Sequence, residues 1–183
     1  MAVTPAITDP RSAPAPQDSA LDRWWLAHIR DPQDLPFGRL LTGIAGILFP
    51  CAVALFIPGV FRWWLAAGYW ALLFGVFFDR YILMLHNVSH RPFFKREHRW
   101  MHALIPWGAG VLCGQTPETY VSHHIGMHHP ENNLPEDLSS TMKYQRDRLD
   151  HFLRYFGRFF FLGLPDLFRY HQTRGRTAFA RRA

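Results

Sequence analysis

Histidine is the residue type through which this chain could do chemistry. Eleven of its 183 residues are histidines, and two groups of them are spaced to act together. The first is His86-Asn-Val-Ser-His90. Positions four apart share one face of a helix, so both imidazoles can reach one metal ion. The second is His123-His124-Ile-Gly-Met-His128-His129, four histidines within seven residues. On a regular helix His124 and His128 share a face, and His129 is turned further round, placed to serve a second ion. His123 points to the other side, as a further candidate ligand, a supporting group or neither. One His-x3-His is a weak signal, but two such groups in a short chain read as a metal site.

All-imidazole ligation without cysteine suits iron, zinc, copper or nickel. The His-Glu-x-x-His pattern of zinc hydrolases is absent. Asp79 lies seven residues before His86, on the same helical stripe. A carboxylate there is expected to accept the N–H of a ligating histidine and fix its tautomer, with pairing to Arg80 as the plainer alternative. A third spaced pair, His98-Arg-Trp-Met-His102, sits among Lys95, Arg96 and Arg99, which repel a cation. His28, His151 and His171 are scattered and read as ordinary surface residues.

The elements that must carry these groups are apolar and long. From Leu40 to Phe61 run 22 residues without a charge, between Arg39 and Arg62. About 20 apolar residues cross a hydrocarbon core of about 30 Å, so this is a predicted transmembrane helix, bent at Pro50. A second span starts at Trp63 and continues past Asp79 as one long helix over about 62–90, joined to the first by a short loop around Pro58-Gly59. Residues 103–117 are uncharged but broken by Pro106, Gly108, Gly110 and Gly114, which fits a re-entrant or interfacial segment. Over 149–171 Arg154, Arg158 and Arg169 are mixed with Phe152, Phe156, Phe159, Phe160 and Phe161, the pattern of an amphipathic helix on a membrane face. Trp24 and Trp25 suggest a short interfacial helix, capped by Ser19 or Asp22 and ended by Pro32. The expected fold class is therefore all-α and integral to a membrane. It has one transmembrane helical hairpin, with spans at about 40–60 and 63–86, plus interfacial and cytoplasmic helices carrying the histidines over 86–150. Residues 1–19, rich in Pro, Ala and Ser, are expected to form a disordered tail, and 20–183 one domain.

Composition and charge narrow the function classes. Hydrophobic residues make up 49% and charged residues 19%, too apolar for a disordered chain. Cys51 and Cys113 have no Cys-x2-Cys spacing, which excludes a disulfide scaffold and a cysteine zinc site. The first 20 residues lack the apolar run of a cleavable signal. The whole net charge of +6 falls in residues 87–183, interleaved with Phe, Trp and Leu. That distribution suits a membrane surface and argues against a nucleic-acid partner. Arg91, Lys95, Arg96 and Arg99 follow the second span, whereas Arg62 alone lies in the loop between the spans. The N-terminus and the histidines are thus expected on the cytoplasmic side of the inner or plasma membrane. Histidines gathered at that end of membrane helices suggest a substrate entering from the lipid and an oxygen-activating iron site to attack its C–H bonds.

His86-x3-His90, followed about thirty residues on by His124-x3-His128-His129, resembles the first two histidine boxes of the membrane fatty acid desaturase family. The order of hairpin, box, short interfacial helix and second box is similar, and so is the run from Tyr120 to Asn133. The resemblance implies His86, His90, His124, His128 and His129, with His123 as a further candidate, as ligands of a non-haem di-iron centre. It also implies O₂ as cosubstrate, a lipid acyl chain as substrate, and a ferredoxin or cytochrome-type electron donor. Related lipid or carotenoid hydroxylases and ketolases share these boxes, so desaturation and oxygen insertion both stay open. So does a non-enzymatic membrane metal-binding protein. The family's third box, His-x2-His-His, and the hairpin before it have no counterpart after His129, where only His151 and His171 follow. The resemblance therefore covers an N-terminal portion, residues 36–170. Its implication is a partial site, weak in iron and without turnover as the chain stands.

Overall fold

Ser19 starts the first helix, α1 (Ala20–His28). Its hydroxyl accepts from the Asp22 amide while the Asp22 carboxylate accepts from the Ser19 N–H, each at 3.1 Å. This reciprocal pairing satisfies two amides that a helix start leaves open. The structure, a computed structural model, describes residues 19–183; the expected disordered tail lies outside the described residues except for Ser19. Asp22 is buried and its carboxylate also accepts from Arg39 Nε at 2.7 Å. That hydrogen bond, then the one from Ser19, holds the Asp22 carboxyl well below the usual carboxylate range.

Among the described residues, two helices are long and apolar enough to cross a membrane, α2 (Pro32–Ala54) and α3 (Trp63–His90). The first starts before the uncharged run and stops short of its end. Its last turn gives way to a loop around Pro58 and Gly59, where Gly59 takes a positive φ of 80° that favours glycine. Near Pro50 the chain answers a proline, which offers no N–H and crowds the carbonyl four residues back, with a widened turn over Ile44–Leu48. There Phe49 N–H reaches Ile44 O, an i→i+5 bond. The second helix runs through Asp79 without a break, as the sequence suggested.

Aromatic residues hold these helices together. Trp25 is buried, and it packs so closely on α2 that a Cβ on Gly38 would lie 2.6 Å from its Cδ2. Its indole Nε1 donates to Thr42 Oγ1 at 2.9 Å. Trp24, its neighbour, stays exposed and stacks on His28. Phe77 of α3 meets α2 at Gly43, where a Cβ would come within 3.1 Å of its ring. Residues 96–112 form a broken helix, α4, laid on α3 by two tyrosines. Tyr69 donates to Leu112 O at 2.6 Å and the fully buried Tyr81 donates to Ile105 O at 3.2 Å. Trp100 and Trp107 of α4 face outward. Helix α5 (119–131) carries the second histidine group. Helix α6 (Leu149–Thr173) leaves Phe152, Phe156, Phe160 and Phe161 exposed. A last turn, α7 (Thr177–Ala180), folds back on α5. Among the described residues there is no strand, only one bridging pair between Ile29 and Phe94.

Candidate metal centre

The C-terminal end of α3 presents His86 and His90. It is anchored by the next residue, Arg91, which pairs with Asp31 at 3.1 Å and with the buried Asp34 at 2.5 Å. Helix α5 faces it. Three ring nitrogens from these two helices converge: His90 Nε2 lies 3.1 Å from His124 Nε2 and 3.3 Å from His129 Nε2, and the last two are 3.1 Å apart. His86 joins from the α3 side, and its ligand atom falls with those of His90 and His124 in a group spanning at most 4.8 Å.

Such a triangle fits a cation better than it fits hydrogen bonding. A neutral imidazole donates at one nitrogen and accepts at the other, so three nitrogens in mutual contact leave lone pairs facing one another. A metal ion about 2.1 Å from each nitrogen would turn those lone pairs into ligands. Neighbouring ligands at that bond length stand about 3.0 to 3.4 Å apart in octahedral or tetrahedral geometry, matching the separations here. Burial, then the nearby His86, His129, His90 and His128, pushes His124 down to about 4. It is therefore held in the neutral form that binds metals.

The grouping within the second cluster differs from the sequence expectation. Residues His124–His128 form a widened turn in which His129 N–H reaches His124 O. An i→i+5 turn returns the fifth residue to the starting face in place of the fourth. His129 thus joins His124 and His90, and His128 turns aside, its ring 5.6 Å from that of His124. His128 Nδ1 donates to the Asp137 carboxylate at 2.7 Å. That carboxylate has no exposed side-chain surface. Burial raises the Asp137 carboxyl, but hydrogen bonds from Ser139, His128 and Asn133 outweigh it and hold the group below its ordinary value. A histidine oriented by a carboxylate is the usual arrangement for a metal ligand, and it leaves His128 Nε2 free. His123 lies parallel to His128 at 6.3 Å, with a buried Nε2 that has no hydrogen-bond partner. Burial pushes His123 down, with the neighbouring His128 adding to the effect.

Two expectations need correction. Asp79 is exposed, and among the described residues it makes no hydrogen bond to a histidine. Seven residues of helix separate it from His86 by about 10 Å of rise, beyond a carboxylate's reach. The orienting acid is Asp137, in the loop after α5. Its signal in the sequence was Asp137-Leu-Ser139, an acid two residues before a serine that can close a local turn on it. His171, expected at the surface, is fully buried, with Nε2 donating to Ser122 O at 3.0 Å. His98 lies tilted against His28, ring centroids 4.4 Å apart, and His102 packs edge-on to Phe94.

A family model described as Fatty acid desaturase matches residues 62–183, two thirds of the chain. No curated protein and no solved structure matches it.

Proposed function

The chain belongs to the fatty acid desaturase family, and from that premise we propose that it supplies the first two histidine groups, and so part of the ligand set, of an O₂-dependent, non-haem di-iron centre that desaturates a lipid acyl chain in a membrane. The observation that carries the reading is the convergence of three imidazole nitrogens from α3 and α5 to within 3.3 Å of one another. His90, His124 and His129, with His86 beside them, would hold one iron. His128, oriented by Asp137, and His123 would turn toward a second. Iron bound there would supply activation of O₂ and removal of hydrogen from adjacent methylenes, with electrons from a ferredoxin or cytochrome-type donor.

The chain's own residues hold and orient. Asp137 keeps the proton of His128 on Nδ1. Beside the cluster, α3 and α6 flank a cavity of about 820 Å³ lined by Phe74, Phe78, Phe156, Phe159 and Leu167, with His123 and Tyr120 on its wall. Such a surface suits an acyl chain, and His123 is the histidine it reaches; His86, His90 and His129 are exposed. The cluster of Arg91, Lys95, Arg96 and Arg99 supports a cytoplasmic position for the histidines.

The test measures metal content and products together. Membranes carrying the chain joined to a segment that supplies a third, His-x2-His-His box, with ferrous iron, an electron donor and a saturated acyl lipid, are analysed by mass spectrometry against the His124→Ala variant. Unsaturated product that depends on His124 supports the reading. Hydroxylated or keto product would move it to oxygen insertion. Metal bound by the histidines without O₂ consumption would end the oxidoreductase reading.

A further inference from the structure

Pro130 follows His128 and His129 directly. In a regular helix a proline at this position cannot donate to the carbonyl four residues back and its ring crowds it. That carbonyl belongs to Gly126, in the middle of the widened turn His124–His128. Pro50 stands at the same offset behind the widened turn Ile44–Leu48. In α5, however, the bereft carbonyl has found another donor: Arg176 Nη1 donates to Gly126 O at 2.7 Å. One turn earlier, His171 holds the Ser122 carbonyl at 3.0 Å, and the Ser122 hydroxyl donates to Phe179 O at 2.9 Å. Gly126 itself has no room for a side chain, because a Cβ would lie 2.9 Å from both His171 Cε1 and Phe179 Cδ1. The C-terminal segment therefore grips the backbone of the turn.

The width of this turn decides which imidazoles meet. Tightened to a regular helix, α5 would swing His128 toward His124's face and carry His129 away from His90. We propose that Arg176 is a positioning residue of the histidine cluster: its guanidinium stands in for the amide that Pro130 lacks and holds open the turn that sets His129 beside His90 and His124. For its ligand set the inference rests on the metal-centre reading; for the backbone it does not.

The test uses the full chain in detergent, cobalt(II) as the metal probe, and hydrogen exchange of the 124–131 backbone. Arg176→Met is expected to weaken cobalt binding by about 10- to 100-fold, to alter the visible cobalt spectrum as one imidazole replaces another, and to speed exchange over 124–131. Arg176→Lys, which keeps a donor, restores most of each. In a Pro130→Ala background the Gly126 carbonyl regains an amide, so adding Arg176→Met changes affinity by less than about threefold. A folded Arg176→Met protein with unchanged affinity, spectrum and exchange would overturn the proposal, as would equal losses in both backgrounds. If Arg176→Met does not fold, Pro130→Ala and the double variant decide: equal affinity and exchange support the lock, a further loss refutes it. If the unaltered chain binds no cobalt, the metal reading fails, and the exchange comparison alone judges the lock.

Discussion

His128 and Asp137 are nine residues apart, yet the histidine's Nδ1 donates to the buried carboxylate at 2.7 Å. The chain achieves this by ending α5 in two left-handed residues, Asn132 and Asn133, with φ of 44° and 62°. Asparagine tolerates that conformation better than most side chains. The loop then doubles back, and Asp137 collects the Asn133 and Ser139 amides as well, at 3.0 and 2.9 Å.

Asp137→Asn keeps the shape but can present an N–H where His128 needs an acceptor. We expect metal affinity to fall by about 10- to 100-fold, with the larger effect on the second equivalent bound. Isothermal titration with cobalt(II) checks this; unchanged affinity at both equivalents would show that His128 takes no part.

Single alanine substitutions separate ligands from bystanders. Loss of His124 or His129 should abolish tight metal binding, because each supplies one corner of the nitrogen triangle. His151→Ala should be nearly silent: its Nδ1 accepts from the Gln145 amide at 2.8 Å, away from the cluster. Equal losses at all three positions, read by metal analysis of the purified variants, would mean that the ligand set is wrong.

Acid should loosen the packing of α6 and α7 on α5. His171 is held below its ordinary value by burial first, with the Arg176 and Arg174 charges adding to this and the Ser122 carbonyl opposing it. The unfolded chain, with an ordinary histidine near 6.5, binds a proton that the folded one refuses. Stability is therefore intact above about pH 6.5 and falls as pH drops below it, until the native group also titrates. Melting curves between pH 8 and pH 4 should show this fall, and His171→Gln should make it shallower, with the share of His123 and His124 remaining. A parallel fall in the variant would assign the effect elsewhere.

Topology is tested with reporters. A fusion after Arg99 should report from the cytoplasm, and an insertion near Gly59 from the opposite side, given the arginine asymmetry around α3. An external signal from the Arg99 fusion would break the two-span arrangement.

The long-range frame was legible in the sequence because apolar length and histidine spacing are local quantities. The run through Asp79 to His90, the amphipathic α6 and the meeting of the two histidine groups all follow from such patterns. The partition within the second group did not, because it depends on the width of one turn. Pro130 carried that information in plain view: a proline directly after two histidines signals that the helix before it is irregular. Asp137 and His171 escaped for another reason. Their roles arise from loop closure and from α7 folding back, contacts that no periodicity encodes.

Arg91 has a consequence for where the working unit begins. The family match starts at residue 62, but the brace beside His90 comes from Asp31 and Asp34, and Lys95 Nζ donates to the carbonyls of Leu26 and Ala27. Kinship and mechanical support thus have different borders in this chain. A fragment cut at the edge of the recognisable region would keep every histidine of the cluster while leaving the last turn of α3 free to fray.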